Sequence, residues 1–377
     1  MTKRTTSPFR YDIVGSFLRP EKLKAARKDF EAGKLSQAEL TAVEDEAIIA
    51  LIEKQEAAGL KAVTDGEFRR SWWHLDFFWG LNGAAYKDAT HGYHFDAEET
   101  RAETATLTGK LDGKNHPFVE HFKFVKTHAK DGSEVRQTIP APAQFYKELL
   151  RPENQPEVLA VYPEKTDLIS DIVKAYQETI KELYDAGLRV LQLDDCTWGM
   201  LVATLPEGVV TDGQSEEEVR EVLKKELLDI NNRVLAGLPE DLIVNTHVCR
   251  GNYHSTWSAA GGYDLVASPL FDQENVHAYY LEYDSDRAGG FAPLAKVSPD
   301  KLVVLGLVTS KTGELEERDA IITRINEAAE YIDLDRLALS PQCGFASTEE
   351  GNILTEEQQW NKIALIKSIA EEVWQEK

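Results

Sequence analysis

The chain has 377 residues, 42% apolar and 28% charged, the balance of a globular protein with enough apolar side chains for a substantial core. Its 65 acidic against 42 basic residues leave a formal charge of −23, which repels nucleic acid and anionic membrane surfaces and excludes both as partners. No stretch is apolar for long enough to span a bilayer and no apolar run follows the first eight residues, so a cytoplasmic location is expected. Three cysteines are too few for a disulfide framework and would stay free as thiols in a reducing compartment.

Strand-like runs alternate with amphipathic helical stretches from end to end. Strands are expected over 12–16 and 62–67, with a helix over 37–58 between them. From 72 to 134 aromatic residues crowd a stretch without helical period (Trp72, Trp73, Phe77, Phe78, Trp79, Tyr86, Tyr93, Phe95), which reads as a long insertion carrying hairpins after the second strand. A strand over 137–142, a helix over 165–186, a strand over 190–195 and a helix over 215–236 follow. Strands over 242–249 and 278–284 flank a loop-rich connection over 252–277. A strand over 302–310, a helix over 314–332, a strand over 337–343 and a helix over 356–376 complete the series, the last with Ile363, Ile366, Ile369 and Val373 on one face. Eight strands alternating with helices match an α/β fold of the single (β/α)8 TIM-barrel type. Nothing in between has linker composition, so residues 1–377 form one expected domain with 72–134 as an insertion within it.

In such a barrel the reactive side chains sit at the C-terminal ends of the strands. Here nearly every expected strand finishes on a chemically competent residue: Ser16, Glu67, Asp194 with Asp195, His247 with Cys249, Glu282, Ser310 with Lys311, and Cys343. His247 and Cys249 stand two apart at a strand end, so both side chains point to one face. With Glu282 and Cys343 from later strand ends they supply one nitrogen, two sulfurs and a carboxylate, a donor set that suits zinc over magnesium or calcium. Structural zinc is commonly held in small loops by closely spaced cysteine pairs, whereas these donors would converge from separate strands, which favours catalysis. Two thiolates and a carboxylate make a poor Lewis acid for water but suit a metal that holds a substrate thiol as thiolate. The expected substrate is a thiol.

These residues and their neighbours resemble the catalytic C-terminal barrel of cobalamin-independent methionine synthase. The similarity runs from Val14 to Cys343 through Val14-Gly15-Ser16-Phe17, Asp65-Gly66-Glu67, Leu191-Gln192-Leu193-Asp194, Thr246-His247-Val248-Cys249, the strand bearing Glu282, and Pro341-Gln342-Cys343-Gly344. The resemblance implies Zn2+ on His247, Cys249, Glu282 and Cys343. It also implies homocysteine with its carboxylate on Val14, Gly15 and Ser16 and its ammonium between Glu67 and Asp194. Two carboxylates facing one lumen would repel without a cation between them, which gives that pair a physical reason. Lys311 stands where the family places a proton-donating His, and Lys147 and Glu148 stand near its folate-stacking Trp; Tyr146, Trp72 and Trp73 are the aromatics at hand for stacking.

The expected activity is zinc-dependent transfer of a methyl group to homocysteine to form methionine, with 5-methyltetrahydrofolate, as poly- or monoglutamate, the expected donor and Lys311 the expected acid. Two rivals keep the zinc site: alkyl transfer to or from another thiol with a corrinoid or other donor, and a non-catalytic zinc- or thiol-binding relative. Expected partners are the small-molecule substrates and, as a possibility, further copies of the chain.

Overall fold

The structure is a computed structural model that describes residues 3–205, 209–210 and 213–375. Its strands are, in chain order, β1 (Ala62–Val63), β2 (Asn82–Asp88), β3 (Glu103–Asp112), β4 (Glu134–Pro140), β5 (Val190–Asp195), β6 (Ile243–Val248), β7 (Ala278–Glu282), β8 (Leu302–Val308) and β9 (Leu337–Pro341). Seven of them form one sheet in the order β1-β4-β5-β6-β7-β8-β9, every pair parallel. Strands β5, β7 and β9 are buried along their whole length, as parallel strands with both faces covered must be. Long helices in the connections carry their own start signals. Ser36 with Glu39, Ser215 with Glu218 and Thr355 with Gln358 each form a reciprocal capping box, which satisfies two backbone N–H groups of the first turn. No helix among the described residues is long and apolar enough to cross a membrane.

Alternation along the strands sorts core from lumen. On β7, Tyr279 points outward and donates to the Leu270 carbonyl at 2.6 Å, while Tyr280 points inward and donates to Asp12 Oδ2 at 2.8 Å. Inward-facing Tyr280, Val304 and Ala338 form a small apolar cluster apart from the main core.

The expected strand over 12–16 is a single parallel bridge between Tyr11 and Leu339 of β9. Its extended run stops because the Asp12 carboxylate takes up local N–H groups, those of Phe9 at 3.1 Å and Ile13 at 2.8 Å, and because Gly15 turns to φ +145°. The segment nevertheless touches both edges of the sheet. Asp12 N donates to Leu339 O at 3.0 Å on the β9 side. On the β1 side Phe17 N donates to Gly66 O at 3.1 Å and Thr64 Oγ1 to Gly15 O at 2.6 Å. The expected strand over 62–67 is likewise cut to Ala62–Val63, since Gly66 and Glu67 both adopt positive φ, 66° and 63°.

Between β1 and β4 stand a helix at Leu75–Gly80, one antiparallel pair, β2 with β3, and a helix at Pro117–His128. Hairpin character was expected there; neither helix was, although Phe118, Val119, Phe122 and Val125 give the second a buried face. Helices at Glu21–Glu31, Pro142–Leu149 and Gln155–Val161 are further additions to the expected set.

Arg136 of β4 holds the N-terminal segment in place. Its Nη2 donates to Asp12 Oδ1 at 2.9 Å and Oδ2 at 2.8 Å, and its Nη1 to the Ile13 carbonyl at 2.9 Å. Both side chains are sealed from solvent, at 0% and 2% exposure. Removing one partner of such a pair leaves an uncompensated buried charge. Asp12→Ala is expected to cost about 3–5 kcal/mol in urea unfolding, and Asp12→Leu combined with Arg136→Met to recover most of that loss.

Candidate metal centre

Four donors meet at the carboxyl ends of the strands: His247 on β6, Cys249 one residue past it, Glu282 closing β7 and Cys343 two residues past β9. One ligand atom from each lies within 4.8 Å of all the others, and all four residues are buried. His247 Nδ1 faces the Tyr280 carbonyl at 3.2 Å. A carbonyl only accepts, so that nitrogen carries a proton and Nε2 points at Cys343 Sγ, 3.3 Å away. The Cys249 and Cys343 sulfurs are 3.7 Å apart. Two thiolates on one tetrahedral zinc, each with a bond of about 2.3 Å, stand roughly 3.8 Å apart, and a thiolate and an imidazole nitrogen roughly 3.5 Å. The spacing therefore fits that ion. Glu282 Oε1 accepts from Arg250 N at 3.0 Å, while Oε2 is buried without a hydrogen bond, its nearest cation Arg287 at 3.5 Å.

The electrostatics are those of a site built for a cation. Burial, joined by the Cys249 charge, pushes Glu282 up to about 7. Burial opposes the His247 imidazolium, but the hydrogen bond and charge of Cys249 outweigh it and raise His247 to about 9. Hydrogen bonds from Cys196 and Cys343 hold the Cys249 thiol well below its usual value.

The cluster opens on a cavity of about 690 Å³ whose walls include His247, Cys249 and Cys343 and, further out, Ser16, Glu67 and Asp194. Glu67 sits in the left-handed region at φ 63°, a strained conformation for a residue with a Cβ. Its Oε1 accepts from Thr138 Oγ1 at 3.0 Å and lies 3.3 Å from Arg70 Nη1; Oε2 is buried without a hydrogen bond. Arg69 turns away to Glu44 and Asp45. Asp194 Oδ1 accepts from Gln192 Nε2 at 2.9 Å, and that amide also donates to the Val14 carbonyl at 2.6 Å. Burial raises Asp194 to about 7, with the Glu67 charge adding to the rise. Ser16 Oγ accepts from Ala346 N at 3.3 Å. Gly344 is required beside it, since a Cβ there would stand 1.9 Å from Ser16 Oγ. Val14 lines the cavity as well.

Lys311 stands behind the wall, 5% exposed, its Nζ donating to Asn252 Oδ1 at 2.8 Å and to Gly251 O at 3.3 Å. Tyr146 is buried away from the cavity, whereas Trp72 and Trp73 line it. His254 pairs with Glu98 at 3.0 Å. Cys196 lines the cavity beside Cys249. His74 was not singled out at all, yet it walls the same cavity, its Nε2 3.0 Å from Tyr93 Oη. That placement depends on how the stretch between β1 and β4 folds back, which no local pattern encodes.

A parallel α/β sheet that gathers one imidazole, two thiols and a carboxylate at its strand ends defines a barrel-type protein with a candidate transition-metal centre. The family model described as "Cobalamin-independent synthase, Catalytic domain" matches residues 160–364. The uncharacterized protein YxjG of Bacillus subtilis is 43% identical over 99% of this chain and 96% of its own. A vitamin-B12 independent methionine synthase candidate from Listeria monocytogenes superimposes with a TM-score of 0.75 at 34% identity, covering 98% of this chain and 99% of that one. A B12-independent methionine synthase from Shewanella sp. W3-18-1, solved with selenomethionine, shares the fold at TM-score 0.73 and 19% identity, over 97% and 98% of the two chains. The chain belongs to the cobalamin-independent methionine synthase family, catalytic domain.

Glu282 ties folding stability to pH. A carboxyl held up to about 7 when folded, against an ordinary value of about 4.3 when unfolded, retains its proton longer in the native state. The stability it contributes is complete at low pH and is lost as pH rises through 7. In metal-free protein, urea unfolding between pH 4.5 and 7.5 is expected to show stability falling less steeply with pH for Glu282→Gln than for the parent.

Proposed function

We propose that the chain is a zinc-dependent methyltransferase that makes methionine from homocysteine, on a (β/α)8 barrel whose missing stave is the segment around Tyr11. The observation that carries this reading is the convergence of His247, Cys249, Glu282 and Cys343 within 4.8 Å on a cavity that also holds Glu67 and Asp194. Zinc bound to those four residues would depress the pKa of a substrate thiol and keep the sulfur nucleophilic.

The chain's own residues hold the rest of the substrate. Glu67 and Asp194 flank the ammonium, whose charge offsets the burial that raises Asp194 and the Glu67 charge that adds to the rise. Thr138 and Arg70 fix Glu67, and Gln192 fixes Asp194. Ser16 and the backbone at Val14 and Gly15 receive the carboxylate. Fixing the amino-acid end aims the sulfur at the methyl group and supplies effective concentration. The donor in this reading is 5-methyltetrahydrofolate, whose leaving nitrogen takes up a proton delivered by solvent in the cavity. The Lys311 ammonium, bonded to two oxygens behind the wall, serves this chemistry through its charge, which acts on Glu282 and Cys343.

Zinc-loaded protein is to be assayed with homocysteine and, in separate lanes, monoglutamyl 5-methyltetrahydrofolate, its polyglutamate and methylcobalamin. Methionine formation with a folate is the expected result; no methionine in any lane overturns the proposal. Glu67→Gln and Asp194→Asn are each expected to raise the KM for homocysteine about tenfold or more, as loss of a charged hydrogen bond does, while zinc content stays at that of the parent. Cys343→Ser is expected to lower zinc content, read by elemental analysis after dialysis against a weak chelator.

A further inference from the structure

The cavity has a second polar wall, formed by the helix Pro142–Leu149 and the turn after it. Gln144, Lys147, Glu148 and Arg151 all line the cavity, at the 0, 3, 4, 7 spacing that places side chains on one helical face. Glu148 is fully engaged: it accepts from Thr104, from Tyr93 at 2.8 Å and from Arg151 at 3.3 Å. Arg151 is equally committed. It also pairs with Glu153 at 2.8 Å, donates to the His91 carbonyl at 2.9 Å and lies over the Tyr93 ring.

Lys147 differs from both. Among the described residues it is the one lysine or arginine that is not solvent-exposed and has neither a hydrogen bond nor an ion pair. Glu226, whose charge reaches it, is itself ion-paired with Lys165. One turn earlier, Gln144 Oε1 is buried without a partner. In a chain with 65 acidic residues against 42 basic, a half-buried ammonium left without a carboxylate is the exception, and an unpaired charge removed from water is costly.

We propose that Lys147 is an anion-binding residue for the second substrate: it receives a carboxylate or other oxyanion of the methyl donor at the wall of the cavity that also holds the four-donor cluster. The proposal deepens the methyl-transfer reading, in that it makes the donor an organic acid. Burial lowers the lysine's pKa, and a bound anion would oppose that fall. Glu148, neutralised by Arg151, does not repel the incoming group.

The test uses binding alone, so it stands apart from whether methyl transfer occurs. Calorimetric titration of the full-length protein with glutarate and, separately, inorganic phosphate is to be compared for the parent, Lys147→Met and Lys147→Arg, each checked for an unchanged melting temperature. Saturable binding by the parent that weakens with salt, drops about tenfold or more in Lys147→Met and persists in Lys147→Arg is the expected result; which probe binds tells carboxylate from phosphate. Binding of neither probe by the parent, or equal binding by the parent and Lys147→Met, overturns it. Monoglutamyl 5-methyltetrahydrofolate and its neutral diamide provide the second comparison. Lys147→Met is expected to weaken the acid about tenfold and leave the diamide unaffected, whereas equal loss for both would assign Lys147 a merely structural role.

Discussion

Everything at the carboxyl end of the sheet depends on a buried ion pair near its other end. Arg136 on β4 grips Asp12 with two hydrogen bonds and the Ile13 carbonyl with a third, and Tyr280 of β7 donates to the same Asp12 carboxylate. A segment with only one residue of strand pairing is thereby fixed across the gap between the first and last strands. Four residues further along, that segment delivers Ser16 to the cavity, and the Val14 carbonyl becomes the anchor for Gln192, which in turn orients Asp194. The charge pair is expensive to bury, and its return is positional: it fixes the segment that carries Ser16 and the Val14 carbonyl on which Gln192 rests.

The cluster of His247, Cys249, Glu282 and Cys343 is already close to the spacing that tetrahedral zinc demands. Burial, with the Cys249 charge beside it, raises Glu282 to about 7. Strain of another kind sits at Glu67, held at positive φ beneath Thr138 and Arg70. Both are costs that the surrounding parallel sheet is stable enough to carry.

Much of this was legible in the residues. Strands β5 and β7 read clearly because each is a largely apolar run ending on an acidic residue, and β5 falls at its expected bounds. The four donors were recognisable from their residue types and strand-end positions. The first two strands were over-read because Asp12, Gly15, Gly66 and Glu67 act through side-chain capture of N–H groups and left-handed turns, which periodicity does not register. The walls of the cavity were the least legible. His74, Cys196 and Lys147 have ordinary local surroundings in the sequence, and their neighbours Tyr93 and Cys249 come from distant stretches brought near only by the folded chain.

The division of labour along the polypeptide has a consequence of its own. All four metal-type donors come from β6 onward, and with Asp194 they fall inside the matched stretch 160–364; Ser16 and Glu67, which line the same cavity, fall outside it. In the proposed reading, sulfur is handled by the second half of the molecule alone, while the amino-acid handle is shared between Asp194 there and Ser16 and Glu67 in the first half. Evolution can then redraw the handle's pocket with changes near the N-terminus while the sulfur chemistry is inherited intact, so paralogues that differ at positions 14–16 and 67 would be the place to look for altered thiol preference.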